Sequence, residues 1–210
     1  MIQRLRQMFY IALVKPVLIL MLGLSVRNYA RMPTKGPHIV AANHNSHLDA
    51  MVLMSLFRLR DMPKVKLVAA KDYFCRGPIS TWFSMNIIGV IPIDRKGGEN
   101  PTAPVIEAID QGYIVVMFPE GSRGEPELRQ PVKYGIAKVL ENRPQVAITP
   151  VFMHGLGKSL PRGDAVFVPF VCEVNIGEDI YWQNDRTQLV TRLEDAFTTL
   201  EREIAPKAWK

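Results

Sequence analysis

Chemistry in this chain starts at the stretch Asn-His-Asn-Ser-His-Leu-Asp, Asn43–Asp49, which holds two of the four histidines. An imidazole beside a carboxylate is a general base in waiting. The carboxylate accepts a bond from one ring nitrogen and fixes the tautomer. The other nitrogen is then able to take a proton from a hydroxyl. On one continuous helix, His44 and Asp49 would point about 140° apart. They meet if His44 lies on a strand-to-helix turn and Asp49 in the first turn of the helix. Ser46 followed by Asp49 is a helix-capping pattern at that place. A plainer alternative rests on the same fact: Asp49 caps the helix and His44 is a loop histidine. His44 and His47 have HxxH spacing, but no third ligand at recognisable spacing supports zinc. Ser46 stands outside any GxSxG elbow, which argues against a serine hydrolase. Gly155–Ser159 lacks the first glycine of a phosphate loop and reads as an ordinary loop.

Two further polar clusters follow. Asp94–Gly98 brings Arg95 and Lys96. Pro119–Gly124 brings Glu120, Gly121 and Arg123, with Lys133 a little further on. Several cations around one mouth suit a phosphate or carboxylate on a substrate. Glu120 offers an acceptor for hydroxyls, and Gly121 allows close backbone approach. Against this, Glu120 and an arginine would serve equally as a structural ion pair.

The elements around these clusters alternate. Strands are expected at His38–Asn43, Val65–Ala70, Gly89–Asp94, Tyr113–Phe118 and Val146–Met153, with one or two more in Asp164–Gly177. Pro92 suggests an edge or end position for the third, and the β-branched run in Tyr113–Phe118 suggests a central one. Helices are expected at His47–Phe57, Pro78–Met85, Pro101–Gly112, Val132–Asn142 and Asn184–Ile204. This pattern predicts a single α/β domain with a mixed, mainly parallel sheet flanked by helices. In such sheets ligands bind where loops leave the strand ends, and all three polar clusters fall there.

Composition is that of a globular protein, 48% hydrophobic and 22% charged. Cys75 and Cys172 lie far apart in no metal or redox pattern, which suits buried thiols. The net charge of +6 is localised. Arg4, Arg6, Lys15, Arg27, Arg31 and Lys35 precede the first acidic residue, Asp49, and the other 20 basic residues balance 20 acidic ones. The same segment is greasy from Phe9 to Leu24. Lys and Arg mixed with apolar residues suit an anionic bilayer surface better than nucleic acid. Lys15 and Pro16 interrupt the run, and Val17–Leu24 is too short to span a bilayer, which takes about 20 residues. Residues 1–36 are therefore expected to be a membrane-associating helical segment preceding the α/β domain of residues 37–210. The rivals are a soluble helix packed on the core and a secretory signal or true anchor, the signal without a clean cleavage site.

Four blocks carry a resemblance: Asn43–Asp49 (NHNSHLD), Gly89–Arg95 (GVIPIDR), Phe118–Gly124 (FPEGSRG) and Ile148–Gly155 (ITPVFMHG). In order and spacing they resemble the glycerolipid acyltransferase family, whose small members include 1-acyl-glycerol-3-phosphate acyltransferases. The resemblance implies that His44 and Asp49 are the catalytic pair. It implies that Arg95 binds the acceptor's phosphate, that Glu120 and Gly121 contribute to acceptor binding and catalysis, and that Arg123 and Lys133 supply further basic contacts. Asn45, Pro92 and Ser122 depart from the family's usual residues, and Pro92 bears on which acceptor fits.

The function expected is O-acyl transfer from acyl-CoA or acyl carrier protein to a hydroxyl of a lysophospholipid, 1-acyl-glycerol-3-phosphate, at the cytoplasmic membrane surface. No metal and no bound cofactor is expected. Backbone N–H groups at the helix start after His44 are expected to meet the tetrahedral oxyanion. Alternatives are a lyso-aminolipid acceptor, a lipid esterase, or a membrane scaffold with a degenerate site.

Overall fold

The computed structural model describes residues 1–46, 48–94, 100–122, 124, 128–159 and 170–204. It contains one seven-stranded sheet. In chain order the strands are β1 (Leu22–Arg27), β2 (His38–Ala42), β3 (Val65–Ala70), β4 (Val90–Ile93), β5 (Ile114–Met117), β6 (Ile148–His154) and β7 (Phe170–Ile176). Their spatial order is β1-β7-β6-β2-β5-β3-β4. Only β6 and β7 pair antiparallel; the other pairs are parallel. The α/β expectation holds. β4, with Pro92, is at the edge, where a residue without an N–H costs no ladder bond. β5 lies between β2 and β3.

Helices cover both faces. They are α1 (Ile2–Phe9), α2 (Lys15–Met21), α3 (Asp49–Leu56), α4 (Lys71–Phe74), α5 (Pro78–Phe83), α6 (Ala103–Asp110), α7 (Gly135–Asn142), α8 (Leu156–Ser159) and α9 (Arg186–Ile204). β2 shows how the layers are built. Its residues alternate at period two, so Val40 and Ala42 join Val52, Leu53, Tyr10 and Val14 on one face. Ile39 and Ala41 join Ile136, Leu140, Leu193 and Phe197 on the other. A strand buried on both faces must be apolar throughout, which is why His38–Asn43 reads as a continuous run. α3 is apolar nearly all round and correspondingly buried. α9 presents Leu189, Leu193, Phe197 and Leu200 as one stripe against the sheet.

The structure departs from expectation in the first 36 residues. α1 and α2 are joined by a wide π-helical turn, Tyr10–Val14. Pro16 then sits in the first turn of α2, where its missing N–H is tolerated. The helical stretch stops at Met21, and Leu22–Arg27 becomes β1, paired in parallel with β7. Part of the expected membrane segment is therefore an edge strand of the sheet itself. Its alternation of Leu22, Leu24 and Val26 is masked by the unbroken apolar run before it. No helix among the described residues is long and apolar enough to cross a membrane. Gly155–Ser159, expected as a loop, contains the short helix α8 behind Gly155 at φ 87°. Cys172 is buried within the sheet, and Cys75 is half-buried just after α4.

Candidate active site

β2 ends at Ala42 in the middle of the sheet, and the chain must leave the ladder before α3 begins. Asn43 manages the exit. It is 1% exposed, its Nδ2 donates to Met153 O at 2.8 Å and its Oδ1 accepts from Met153 N at 2.7 Å. The amide side chain thus pairs with β6 as a backbone unit would, and the following residue is delivered at a fixed height above the sheet edge. That residue is His44.

His44 Nδ1 lies 2.9 Å from Asp49 Oδ2. The same oxygen accepts the backbone N–H of Asn45 at 2.6 Å and of Ser46 at 2.8 Å. Asp49 is the first residue of α3, so both expectations for it hold together. It caps the turn and it orients the histidine. The bond to Nδ1–H leaves Nε2 with its lone pair. The ring lies flat on Phe118, with centroids 4.1 Å apart and planes inclined by 15°. Two neighbours therefore fix the imidazole, one through a nitrogen and one through a face.

The N–H groups expected to meet an oxyanion have partners in this structure. Asn45 and Ser46 spend their N–H groups on Asp49, and His44 N–H donates to Glu120 Oε1 at 3.2 Å. Leu48 N–H donates to Ser46 Oγ at 3.3 Å. In this structure the Asp49 and Glu120 carboxylates and the Ser46 hydroxyl occupy these donors. Among the described residues, the N–H groups of His44, Asn45, Ser46 and Leu48 thus have partners within the protein.

The second block comes from the end of β5. Gly121 N–H donates to Phe118 O at 3.0 Å, closing a tight turn around Pro119 and Glu120. Glu120 is 1% exposed. Its Oε1 takes the His44 N–H and its Oε2 takes the Gln130 N–H at 3.1 Å. It bridges the catalytic loop to the segment before α7, which is itself tied to α9. Arg129 donates to Glu194 O at 3.1 Å and Thr198 Oγ1 at 3.0 Å, and Val132 N–H donates to Glu194 Oε1 at 2.9 Å. Burial pushes the Glu120 carboxyl up to about 7, opposed by the two backbone donors; Asp49 raises it further and Arg129 lowers it. Gly121 adopts φ 75°, and a Cβ there would stand 2.8 Å from Lys133 Nζ. Glycine is needed both for the turn and for the room it leaves to the Lys133 side chain.

His44, Asp49, Glu120, Gly121 and Lys133 are thus brought together at the carboxyl edge of β2 and β5. Arg95, Arg123 and His47 lie outside the described residues. Asn43, Phe118 and the Gln130 backbone were not anticipated as site residues. A polar residue closing the apolar run of β2 is the one signal that marked Asn43. Nothing local marks Phe118 or Gln130, because both act across long sequence separations.

A His–Asp pair at the carboxyl edge of a mainly parallel sheet has the geometry of a base and its orienter. Among the described residues no serine, threonine or cysteine hydrogen-bonds to His44. Residues 23–154 match the family model described as Acyltransferase. The chain belongs to the acyltransferase family. The 1-acyl-sn-glycerol-3-phosphate acyltransferase alpha of Homo sapiens is 27% identical over 188 residues, covering 86% of this chain and 64% of that protein. A probable 1-acyl-sn-glycerol-3-phosphate acyltransferase of Mycoplasma genitalium is 34% identical over 129 residues, 59% of this chain and 47% of that one. The chain therefore spans just under two thirds of the human relative's length. In fold it is similar to the crystal structure of the 1-acyl-sn-glycerophosphate (LPA) acyltransferase PlsC from Thermotoga maritima. The TM-score is 0.79 and the identity 17%, over 99% of this chain and 81% of that one.

Proposed function

We propose that this chain transfers a fatty acyl group from an acyl thioester to a hydroxyl of 1-acyl-glycerol-3-phosphate at a membrane surface. The observation that carries this reading is the His44–Asp49 contact of 2.9 Å with no protein nucleophile attached to it. Relatives named for this acceptor support the choice of substrate.

In this reading His44 Nε2 removes the proton of the acceptor hydroxyl as its oxygen attacks the thioester carbonyl. Asp49 holds Nδ1–H and stabilises the imidazolium that forms. The tetrahedral intermediate collapses with loss of the thiolate, which takes the proton back from Nε2. One O–H and one C–S bond break, and one ester C–O and one S–H bond form. Lys133, exposed beside Gly121, is proposed to meet an anionic acceptor group. Arg95, next after Asp94 beyond β4, and Arg123 are proposed to hold the acceptor phosphate with it. Acyl-CoA or acyl carrier protein serves as donor. The reaction requires no metal or bound cofactor, and the active edge faces the cytoplasmic leaflet.

The test is acyl transfer from labelled acyl-CoA and acyl carrier protein to a panel of lysolipids in anionic vesicles, wild type beside His44→Ala. Wild type is expected to acylate lysophosphatidate, and folded His44→Ala to lose about 10²–10⁴ in rate. Near-normal turnover by His44→Ala would end the mechanism. Transfer only to an uncharged or amino-containing acceptor would overturn the phosphate reading while keeping the pair.

A further inference from the structure

α5 and its neighbours have no part in the site, yet they carry the most conspicuous apolar surface outside the N-terminal helices. Ile79 is 83% exposed and Trp82 48%. They stand at i and i+3 on α5, so they share one side of the helix. On α1, Leu5 and Met8 are 47% and 63% exposed and have the same spacing. Large apolar side chains clustered in the open mark a surface built to be covered.

The two helices form one platform. Phe9 of α1 meets Phe83 of α5 edge to face, with centroids 5.3 Å apart and planes at 87°. Beneath them Arg6 is buried, 2% exposed, and donates to Val65 O and to Ile88 O, each at 3.0 Å. Ile88 ends the π-helical turn Ser84–Ile88 that continues α5. A cation at that carbonyl end is favourable. Gly89 makes the fit possible, since a Cβ there would lie 2.6 Å from the guanidinium. α1 is therefore pinned to the sheet and to the end of α5, and the two apolar surfaces keep one orientation.

Charge identifies the occupant. Residues 1–48 and 65–93 contain nine Lys and Arg and a single acidic residue, Asp72; Arg6 is buried and Arg27 and Arg31 pair with Glu173 and Glu178, which leaves six. Arg76 lies 5.4 Å from the Tyr73 ring at the α4–α5 turn, an aromatic–cation pair suited to headgroup depth. α4 begins directly after β3 ends, on the edge where β2 delivers His44 and β5 delivers Glu120, because these strands are parallel.

Resting on the membrane-surface reading above, we infer that α5 is a second bilayer-contact element, with Ile79 and Trp82 entering the interface of an anionic membrane beside Leu5 and Met8. The N-terminal helices do not dock alone. The bilayer meets a two-part face, of which the α4–α5 end lies at the site's own edge.

The experiment uses the full chain carrying Trp182→Phe and Trp209→Phe, which leaves Trp82 as the sole tryptophan. It is mixed with phosphatidylcholine–phosphatidylglycerol vesicles whose acyl chains are brominated. Trp82 emission should shift to the blue and be quenched. In the otherwise wild-type chain, Ile79→Asp should weaken co-sedimentation with unbrominated vesicles about tenfold, consistent with burial of one large apolar side chain, at unchanged thermal stability. Chain that sediments with vesicles while Trp82 stays unquenched and Ile79→Asp is silent overturns the inference and leaves membrane docking by α1 standing. Chain that fails to sediment at all overturns the membrane-surface reading with it.

Discussion

Asp49 Oδ2 serves three donors at once, and this makes its two possible substitutions behave differently. Asp49→Asn keeps a neutral oxygen for the same donors but loses the charge that stabilises an imidazolium at His44. Turnover should fall about 10²–10⁴ while chemical-denaturation midpoints move little. Asp49→Ala leaves buried donors unpaired and should in addition cost about 2–4 kcal/mol of stability. Equal melting of the two variants would show that the loop does not depend on the carboxylate. Glu120 makes a prediction in pH. Its folded-state pKa of about 7 lies above its ordinary 4.5. The folded chain therefore holds the proton over a range in which the unfolded chain has released it. Wild type should lose stability relative to Glu120→Gln as pH rises from about 4.5 to 7, with no further change above. A difference independent of pH in paired denaturation curves would mean the carboxyl does not titrate in this window.

At the scale of elements, the arrangement depends on side chains standing in for backbone where elements end. Asn43 extends β2 toward β6 after the ladder stops. Arg6 closes the carbonyl end of the helical turn before β4 and ties it to α1. Burial pulls the Arg6 guanidinium below its usual value, so its retention there reflects the carbonyls it satisfies. Arg6→Met keeps the volume of the stem but leaves Val65 O and Ile88 O unpaired. It should destabilise by about 1–3 kcal/mol and increase amide exchange in residues 84–89. Unchanged exchange there would show that α1 and α5 are not coupled through this residue.

At the scale of the molecule, the N-terminal excess of positive charge is only partly free. Arg6 is buried, Arg27 pairs with Glu173 at 2.9 Å and Arg31 with Glu178 at 3.1 Å. Arg4 and Lys15 have no such partner among the described residues. Each of Arg4→Gln and Lys15→Gln should weaken binding to anionic vesicles about fivefold, corresponding to about 1 kcal/mol per cation near the surface. Arg27→Gln should do much less. Equal effects at all three positions in a co-sedimentation series would point to net charge alone.

What the sequence determined by itself was whatever its local pattern encodes. Alternating apolar strands and helices dictated an α/β sheet, and Pro92 placed its strand at the edge. The capping relation of Ser46 to Asp49 put His44 within reach of a carboxylate five residues on. The tertiary structure decided the rest, because those outcomes depend on partners distant in sequence. Leu22–Arg27 is a strand only because β7 offers it a ladder, since its own apolar residues continue a helical run. Phe118 becomes the floor under His44 because β5 lies beside β2. Glu120 spends both oxygens on the backbone of His44 and Gln130, contacts that no spacing rule contains. Arg6, counted in sequence among the surface cations, is buried where Val65 and Ile88 present two carbonyls to it, and those charge-assisted bonds offset part of its desolvation.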